Sequence, residues 1–480
     1  MKFANFVFET IKENFDIEKC FAVTGDYVKP LIDQISDQFE VIHCSSEIAA
    51  SFAAIAQSRI QGLGIFITSY GVGIHSILGL ATAFSEKDRL ILISIKPPET
   101  NQFLLHHKIS PDANDQSKIY SPVTVEQCEL DPTNLTPFIN SLEKMVDANR
   151  PILLEFPRNS IDQKITEEIP SIRSFSHFEP VKQEALDQIK KAKNPFFLLG
   201  KLTKEQRERL RELKATKCYS PLGRGFGMDD KWTLGTYMGE ITPNLDAFIR
   251  KKCDLLVAIG LLNLECEFGR GTYFKQPDLY LENLSKTEIE EINKCNFKNL
   301  KNELPKYFSQ SRYIDQIFFE CSKFIDLFYC CDVSNAALGT VNHQIPFLLH
   351  SPHFLPMGSS MGFALGVHAL GYRSLIIIGD GAFQSALSDL TTFRKYGWHP
   401  IIILLNNWGY SFLGVESPSI NYRLLIESFN GDYYLADSVR NFKKYLMRAK
   451  IKRNRMALIE VRLSPQPTSE LEVYLEKKVY

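Results

Sequence analysis

The chain carries almost no net charge: 55 Lys and Arg stand against 56 Asp and Glu, leaving -1 over 480 residues. Nucleic-acid binding needs clustered Lys and Arg to neutralise phosphates, and this balance gives no such footprint. The longest basic stretch, Arg448 to Arg455, is short and reads as a solvated helix face. Cysteine-pair motifs are missing as well. Ten cysteines are scattered without a C-x-x-C pair, and Cys330 and Cys331 are too close for an ordinary bridge. Zinc sites and disulfide frameworks are therefore not expected, and a reducing cytoplasm fits best. No apolar run reaches the roughly 18 residues of a spanning helix, so no membrane contact is expected. The N-terminus interleaves charges with apolar residues, unlike a signal peptide. Short-period repeats and low-complexity tracts are lacking too.

What the chain does have is core material. Hydrophobic residues make up 44% of it, enough for sizeable cores rather than disorder. At roughly 150 residues per domain, its length suggests three domains. The pattern agrees. Residues 1–168 alternate helical spacing (Phe3 to Phe15, Glu47 to Ile60) with buried strands (Lys19 to Val23, Gly64 to Thr68, Leu90 to Ile95). Residues 167 to 180 are polar with two prolines and read as a linker. A second block, 180–312, holds the strands Phe196 to Gly200 and Leu255 to Gly260 around the turn-rich stretch 221–230. A third, 320–480, holds Ser374 to Gly379, Ile401 to Leu405 and Leu458 to Val461. Unbroken apolar strands between helices predict an α/β fold of three doubly wound parallel-sheet domains.

The chemistry concentrates in the third block. Gly379-Asp380-Gly381 ends one buried strand, and Asn406-Asn407, followed by Trp408-Gly409-Tyr410, ends the next. Parallel strands put both ends at the carboxyl edge, where ligands of such folds bind. Asp380 and Asn407 there would supply two hard oxygens, suited to Mg²⁺ completed by a carbonyl, water and substrate phosphates. The glycines let backbone amides approach a phosphate at the following helix start.

This combination resembles the thiamine-diphosphate-dependent enzymes, whose G-D-G…N-N pattern binds Mg²⁺ and the cofactor diphosphate. The resemblance implies metal ligation by Asp380, Asn407 and the Gly409 carbonyl, with Gly381 and Ala382 beside the diphosphate. Ser359-Ser-Met361-Gly-Phe matches the segment that props the thiamine in its bent form. Met361 would be the wedge between the two rings, although a buried methionine equally serves as core filler. In the first block Glu47 opens a long helix after a strand. There the family uses a carboxylate that bonds the aminopyrimidine ring, a role needing a desolvated acid. The helix macrodipole alone also favours a first-turn glutamate.

The likeness narrows to the pyruvate and indolepyruvate decarboxylase branch. Thr24-Gly-Asp26-Tyr27 resembles its G-D-[YF] stretch, Leu104-Leu-His106-His107 its paired-histidine loop, and Ser69-Tyr-Gly-Val-Gly73 its T-x-G-V-G loop. Pro221 to Gly225 and Gly235 to Gly239 resemble its middle domain. The branch implies a non-oxidative decarboxylation of a 2-oxo acid to an aldehyde and CO₂. Asp26, His106 and His107 would move protons, while the bond-breaking chemistry is the cofactor's. It also implies a homodimer or homotetramer with sites between subunits, and domains that bind the pyrimidine (1–168) and the diphosphate (320–480).

Two positions depart from the pattern. Leu413 stands where the branch usually has a Glu facing the substrate carboxylate, and Glu416 lies about one helical turn further on. Ser334-Asn335-Ala336 replaces a Gly-Thr-Ser-like stretch near the diphosphate, though Ser334 and Asn335 still offer hydrogen bonds. These departures leave two alternatives beside decarboxylation: carboligation to 2-hydroxy ketones, and a catalytically silent protein that binds cofactor or partners. Neither the identity of the 2-oxo acid nor the choice between dimer and tetramer follows from the motifs.

Overall fold

A computed structural model describes residues 1–97, 106–110, 114–165, 180–225, 230–262, 266–267, 275–303, 312–343, 345–410 and 415–464. The chain forms two compact units. Met1–His177, Met361–Tyr372 and Ala386–Gly397 make the first; Phe178–Ser360, Arg373–Ser385 and Trp398–Tyr480 make the second.

The first unit is built on six parallel strands: β1 (Lys19–Ala22), β2 (Glu40–His43), β3 (Gly64–Ser69), β4 (Leu90–Lys96), β5 (Glu126–Glu129) and β6 (Ile152–Pro157). Their order is β2-β1-β3-β4-β6-β5. Every residue of β3 and β4 is buried, which is why both read as unbroken apolar runs. The edge strand β5 has the sequence EQCE with a single buried residue, and hydrophobic patterning misses it. The helix Phe3–Phe15 follows its apolar spacing and buries Phe3, Phe6, Val7 and Ile11.

The helix Glu47–Gln61 starts where Ser46 accepts a hydrogen bond from the Ala49 amide and stops at Gly62, whose φ is 106°. Its alanine-rich face permits close helix packing. Most of the helix Ser359–Ala369 lies on it: a Cβ built at Gly366 would come within 2.4 Å of the Ala53 carbonyl oxygen. Phe363 packs edge-on to Phe52 at 5.5 Å between centroids. Arg59, buried under this contact, is paired with Glu86 and Asp88 at 2.7 Å each.

The second unit holds two parallel sheets. One comprises β7 (Pro195–Leu199), β8 (Thr216–Tyr219), β9 (Thr233–Thr236), β10 (Leu255–Ile259) and β11 (Leu279–Leu281), in the order β11-β10-β7-β8-β9. In the other, β12 (Phe328–Cys331), β13 (Leu348–Leu349), β14 (Ser374–Gly379) and β15 (Ile401–Asn406) precede a short antiparallel hairpin, β16 (Gly409–Tyr410) with β17 (Val415–Glu416). The strands β18 (Asp432–Ala436) and β19 (Ala457–Arg462) complete that sheet, in the order β13-β12-β14-β15-β19-β18. The chain leaves β12 toward β13 on one side, then returns to β14 and continues to β15 on the other. Connections that diverge in this way open a crevice at the carboxyl ends of β12 and β14.

The fold is thus α/β with three parallel sheets, as expected. All ten cysteines are free. No helix among the described residues is long and apolar enough to cross a membrane. Residues 167–179 of the expected linker and the C-terminal tail at 465–480 lie outside the described residues.

Candidate active site

The first unit contributes two groups of polar side chains at the carboxyl ends of its strands. Asp26 follows β1, and His106 Nε2–H donates to its Oδ2 at 2.9 Å. The Tyr27 ring stacks on His106 at 4.7 Å with a 9° interplanar angle, and His107 stands edge-on to His106 at 4.7 Å. Asp26, His106 and His107 offer ligand-type atoms all within 4.8 Å of one another. The hydrogen bond from His106 holds the Asp26 carboxyl below its ordinary value, helped by the amide of Tyr27 and the nearby imidazoles. His107 takes a left-handed backbone, φ 68°, pressed against the loop after β3. A Cβ at Gly71 would lie 1.8 Å from the His107 carbonyl oxygen, so only glycine fits there. The Gly71 amide in turn donates to Gln116 Oε1 at 2.7 Å, and Gln116 is fully buried.

Glu47 is the first residue of its helix. Its side chain is 13% exposed, and His75 Nδ1–H donates to Oε2 at 3.2 Å. Met361, on the neighbouring helix, is fully buried. His75 and Gln116 are contacts that sequence reasoning missed. His75 lies just after the glycine loop, and a histidine two residues beyond G-V-G was the available signal.

In the second unit, seven of the residues expected around a cofactor line one cavity of about 570 Å³: Ser334, Asn335, Asp380, Gly381, Ala382, Asn407 and Gly409. It opens at the crevice between the ends of β12 and β14. Asp380 is 2% exposed. Burial pushes its carboxyl above the ordinary value, while its own amide and those of Gly381, Gly409 and Asn407 pull it back. The loop after β15 is tightly folded to do this. Asn406 accepts from the Trp408 amide and donates to Glu460, and Trp408 has φ 66°. A Cβ at Gly409 would lie 2.1 Å from the Val415 carbonyl oxygen.

Asp332, at the end of β12, is 1% exposed and accepts from the amides of Gly358 and Ser360 at 3.1 Å each. That pair of bonds fixes the start of the Ser359 helix. Ser359 itself is buried, its Oγ meets no hydrogen-bond partner among the described residues, and it does not line the cavity. Away from Asp380 the wall turns apolar, where Met238, Ile241 and Val341 pack together. Leu413 lies outside the described residues. Glu416 is not a helical turn beyond the loop as expected. It sits in β17 directly across from Gly409, exposed, because the chain closes a hairpin there instead of entering a helix.

These groups suit a diphosphate with Mg²⁺. A carboxylate, an amide oxygen and a carbonyl from one loop pair form a hard-oxygen donor set. A Cβ at Gly379 would meet nothing within 4 Å, leaving the wall beside Asp380 open.

Comparison with known proteins agrees with this geometry. Residues 1–119 match the family model "Thiamine pyrophosphate enzyme, N-terminal TPP binding domain", and residues 338–461 match "Thiamine pyrophosphate enzyme, C-terminal TPP binding domain". The thiamine metabolism regulatory protein of Saccharomyces cerevisiae is 23% identical over 85% of this chain and 78% of its own length. Pyruvate decarboxylase isozyme 3 of the same organism is 22% identical over 85% of this chain and 83% of its own. Indole-3-pyruvate decarboxylase of Azospirillum brasilense is 23% identical over 96% and 95%. The chain belongs to the thiamine pyrophosphate enzyme family, and it is similar over most of its length to pyruvate and indolepyruvate decarboxylases.

Proposed function

We propose that this protein is a Mg²⁺-dependent, non-oxidative decarboxylase that converts a 2-oxo acid to an aldehyde and CO₂ with thiamine diphosphate. The observation that carries the proposal is the convergence of Ser334, Asn335, Asp380, Gly381, Ala382, Asn407 and Gly409 on one cavity wall. Asp380, Asn407 and the Gly409 carbonyl would hold the metal, and Ser334, Asn335 and the amides after Gly379 would hold the diphosphate. When bound, thiamine diphosphate supplies the carbon nucleophile and the electron sink that decarboxylation requires. Met361 would support the bent cofactor. Glu47 would face the aminopyrimidine ring and share a proton with it; its low exposure suits that task, and the His75 bond orients its carboxylate. His106 and His107, with Asp26 bonded to Nε2 of His106 and so setting its tautomer, would deliver the proton that completes the aldehyde.

The proposal includes a homodimer or homotetramer with sites shared between subunits, a cytoplasmic setting, and domains at 1–168, 180–312 and 320–480. The test is CO₂ release by purified protein with thiamine diphosphate and Mg²⁺, across pyruvate, indolepyruvate, phenylpyruvate and branched-chain 2-oxo acids. Release from at least one supports it. No release from any, with cofactor binding verified by calorimetry, overturns it.

A second reading, a regulatory protein that binds cofactor without turnover, is favoured by the name of the yeast relative at 23% identity. Cofactor binding with no CO₂ release and no 2-hydroxy ketone product would support it.

A further inference from the structure

β2 is an edge strand, and among the described residues no further strand pairs with its outward amides. Two residues beyond its last amide the chain reaches Ser45, then the cap Ser46, then Glu47. One helix, Asp389–Lys395, meets this stretch with three polar groups on one face. The Tyr396 hydroxyl, just past its end, accepts from the His43 amide at 2.7 Å. Thr392 Oγ1 accepts from the Ser45 amide at 3.1 Å. Asp389 Oδ1 accepts from Ser45 Oγ at 3.0 Å. Positions 389, 392 and 396 are spaced by three and four, so they share a helix face. With the Ser46 bond to the Ala49 amide, 3.1 Å, four hydrogen bonds fix the five residues from 43 to 47.

We infer that Asp389, Thr392 and Tyr396 are positioning residues that set the orientation of Glu47 by clamping the segment His43–Ser46. The inference rests on the reading of Glu47 given above. It adds three residues from a distant part of the chain to the control of that carboxylate. Asp389 is 5% exposed, and its surroundings are dry enough to push its carboxyl up to about 7 against the bonds from Ser45 and Ser388. A buried acid at that position is costly unless its acceptor role is used, and Ser45 is what uses it. His43, with Thr24 on its ring, and Cys44 complete the polar and titratable groups of the clamped segment, and Lys395 acts on both.

The test uses the full-length protein loaded with thiamine diphosphate and Mg²⁺. Two readouts are taken: exchange of the cofactor C2 proton for deuterium, followed by NMR, and amide hydrogen exchange over residues 43–47. Asp389→Ala, Thr392→Val and Tyr396→Phe are each expected to speed amide exchange in that segment. They are expected to slow C2 exchange by about tenfold, as a small misplacement of a catalytic group does, while cofactor affinity holds within about twofold. Asp389→Asn keeps the acceptor oxygen and is expected to restore C2 exchange. Where Asp389→Ala fails to fold, the two milder variants decide. Wild-type C2 exchange that all the variants retain would overturn the clamp and leave the proposed function standing. A loaded wild type with no C2 exchange would overturn both.

Discussion

His75 Nδ1 and Glu47 Oε2 lie 3.2 Å apart, joining the glycine loop after β3 to the first residue of the long helix. The His75 side chain is 56% exposed and that of Glu47 13%, so the carboxylate is the more enclosed partner of the pair. Glu47→Gln removes the shared proton. It should lower CO₂ release by about 10²-fold or more, the scale of a lost acid–base group. His75→Ala removes one orienting hydrogen bond, about 1 kcal/mol and so about fivefold. Steady-state rates would show both, with the affinity for thiamine diphosphate changing little. Equal rates for wild type and Glu47→Gln would remove Glu47 from the mechanism.

The Asp26–His106 pair makes a pH prediction. The carboxyl is lowered by its bond from His106, so the bond persists above the ordinary Asp value of 3.8 and breaks as pH falls through the lowered one. Replacing His106 by Ala should move the Asp26 titration upward, toward that ordinary value. Carbon-13 NMR of labelled Asp would follow it. Asp26→Asn should lower aldehyde formation by about 10²-fold. An unmoved titration in His106→Ala would mean that the hydrogen bond is not what lowers Asp26.

Much of this arrangement could be read from the chain. β3, β4, β14 and β15 are buried on both faces, and central parallel strands announce themselves as apolar runs. The residues after β14 and β15 were legible because the glycines and asparagines at strand ends follow a recognisable order. β5 was not legible, since an edge strand buries one residue of four. Neither was the clamp. Ser45 and Asp389 are separated by 344 positions, and no local pattern reports that contact. Glu416 was misread because a glycine-led hairpin and the first turn of a helix look alike over so short a stretch.

Packing between helices gives a stability prediction. Gly366→Ala would force a Cβ to within 2.4 Å of the Ala53 carbonyl oxygen, which cannot yield without moving the Glu47 helix. The cost should be about 1–3 kcal/mol, the range for overpacking. Denaturant unfolding at fixed pH measures it. A neutral result would mean that the two helices separate freely.

Glu267, fully buried, gives a second pH dependence. It accepts from Ser220 Oγ and from the amides of Leu222 and Leu262, yet burial pushes its carboxyl up to about 7. Folding therefore favours its protonated form. The stability it contributes is full below the ordinary value of 4.5 and is lost as pH rises through about 7. Glu267→Gln should flatten the fall in melting temperature across that window. A wild-type curve with no such fall would contradict a neutral Glu267.

Asp380 links stability to the metal. Burial raises its carboxyl, so the ionised side chain carries a desolvation penalty when no cation is bound. Asp380→Asn keeps the shape and removes that penalty, so the metal-free variant should be as stable as wild type or more so. Adding thiamine diphosphate with Mg²⁺ should reverse the ranking. Wild type gains about 2.7 kcal/mol when ligand reaches 100 times its dissociation constant. The variant should lose most of that gain, and EDTA should remove it from wild type as well. Thermal melts with and without Mg²⁺ make the comparison. A variant that keeps the full Mg²⁺-dependent shift would show that Asp380 does not hold the metal, and the donor role would then pass to other oxygens on the cavity wall.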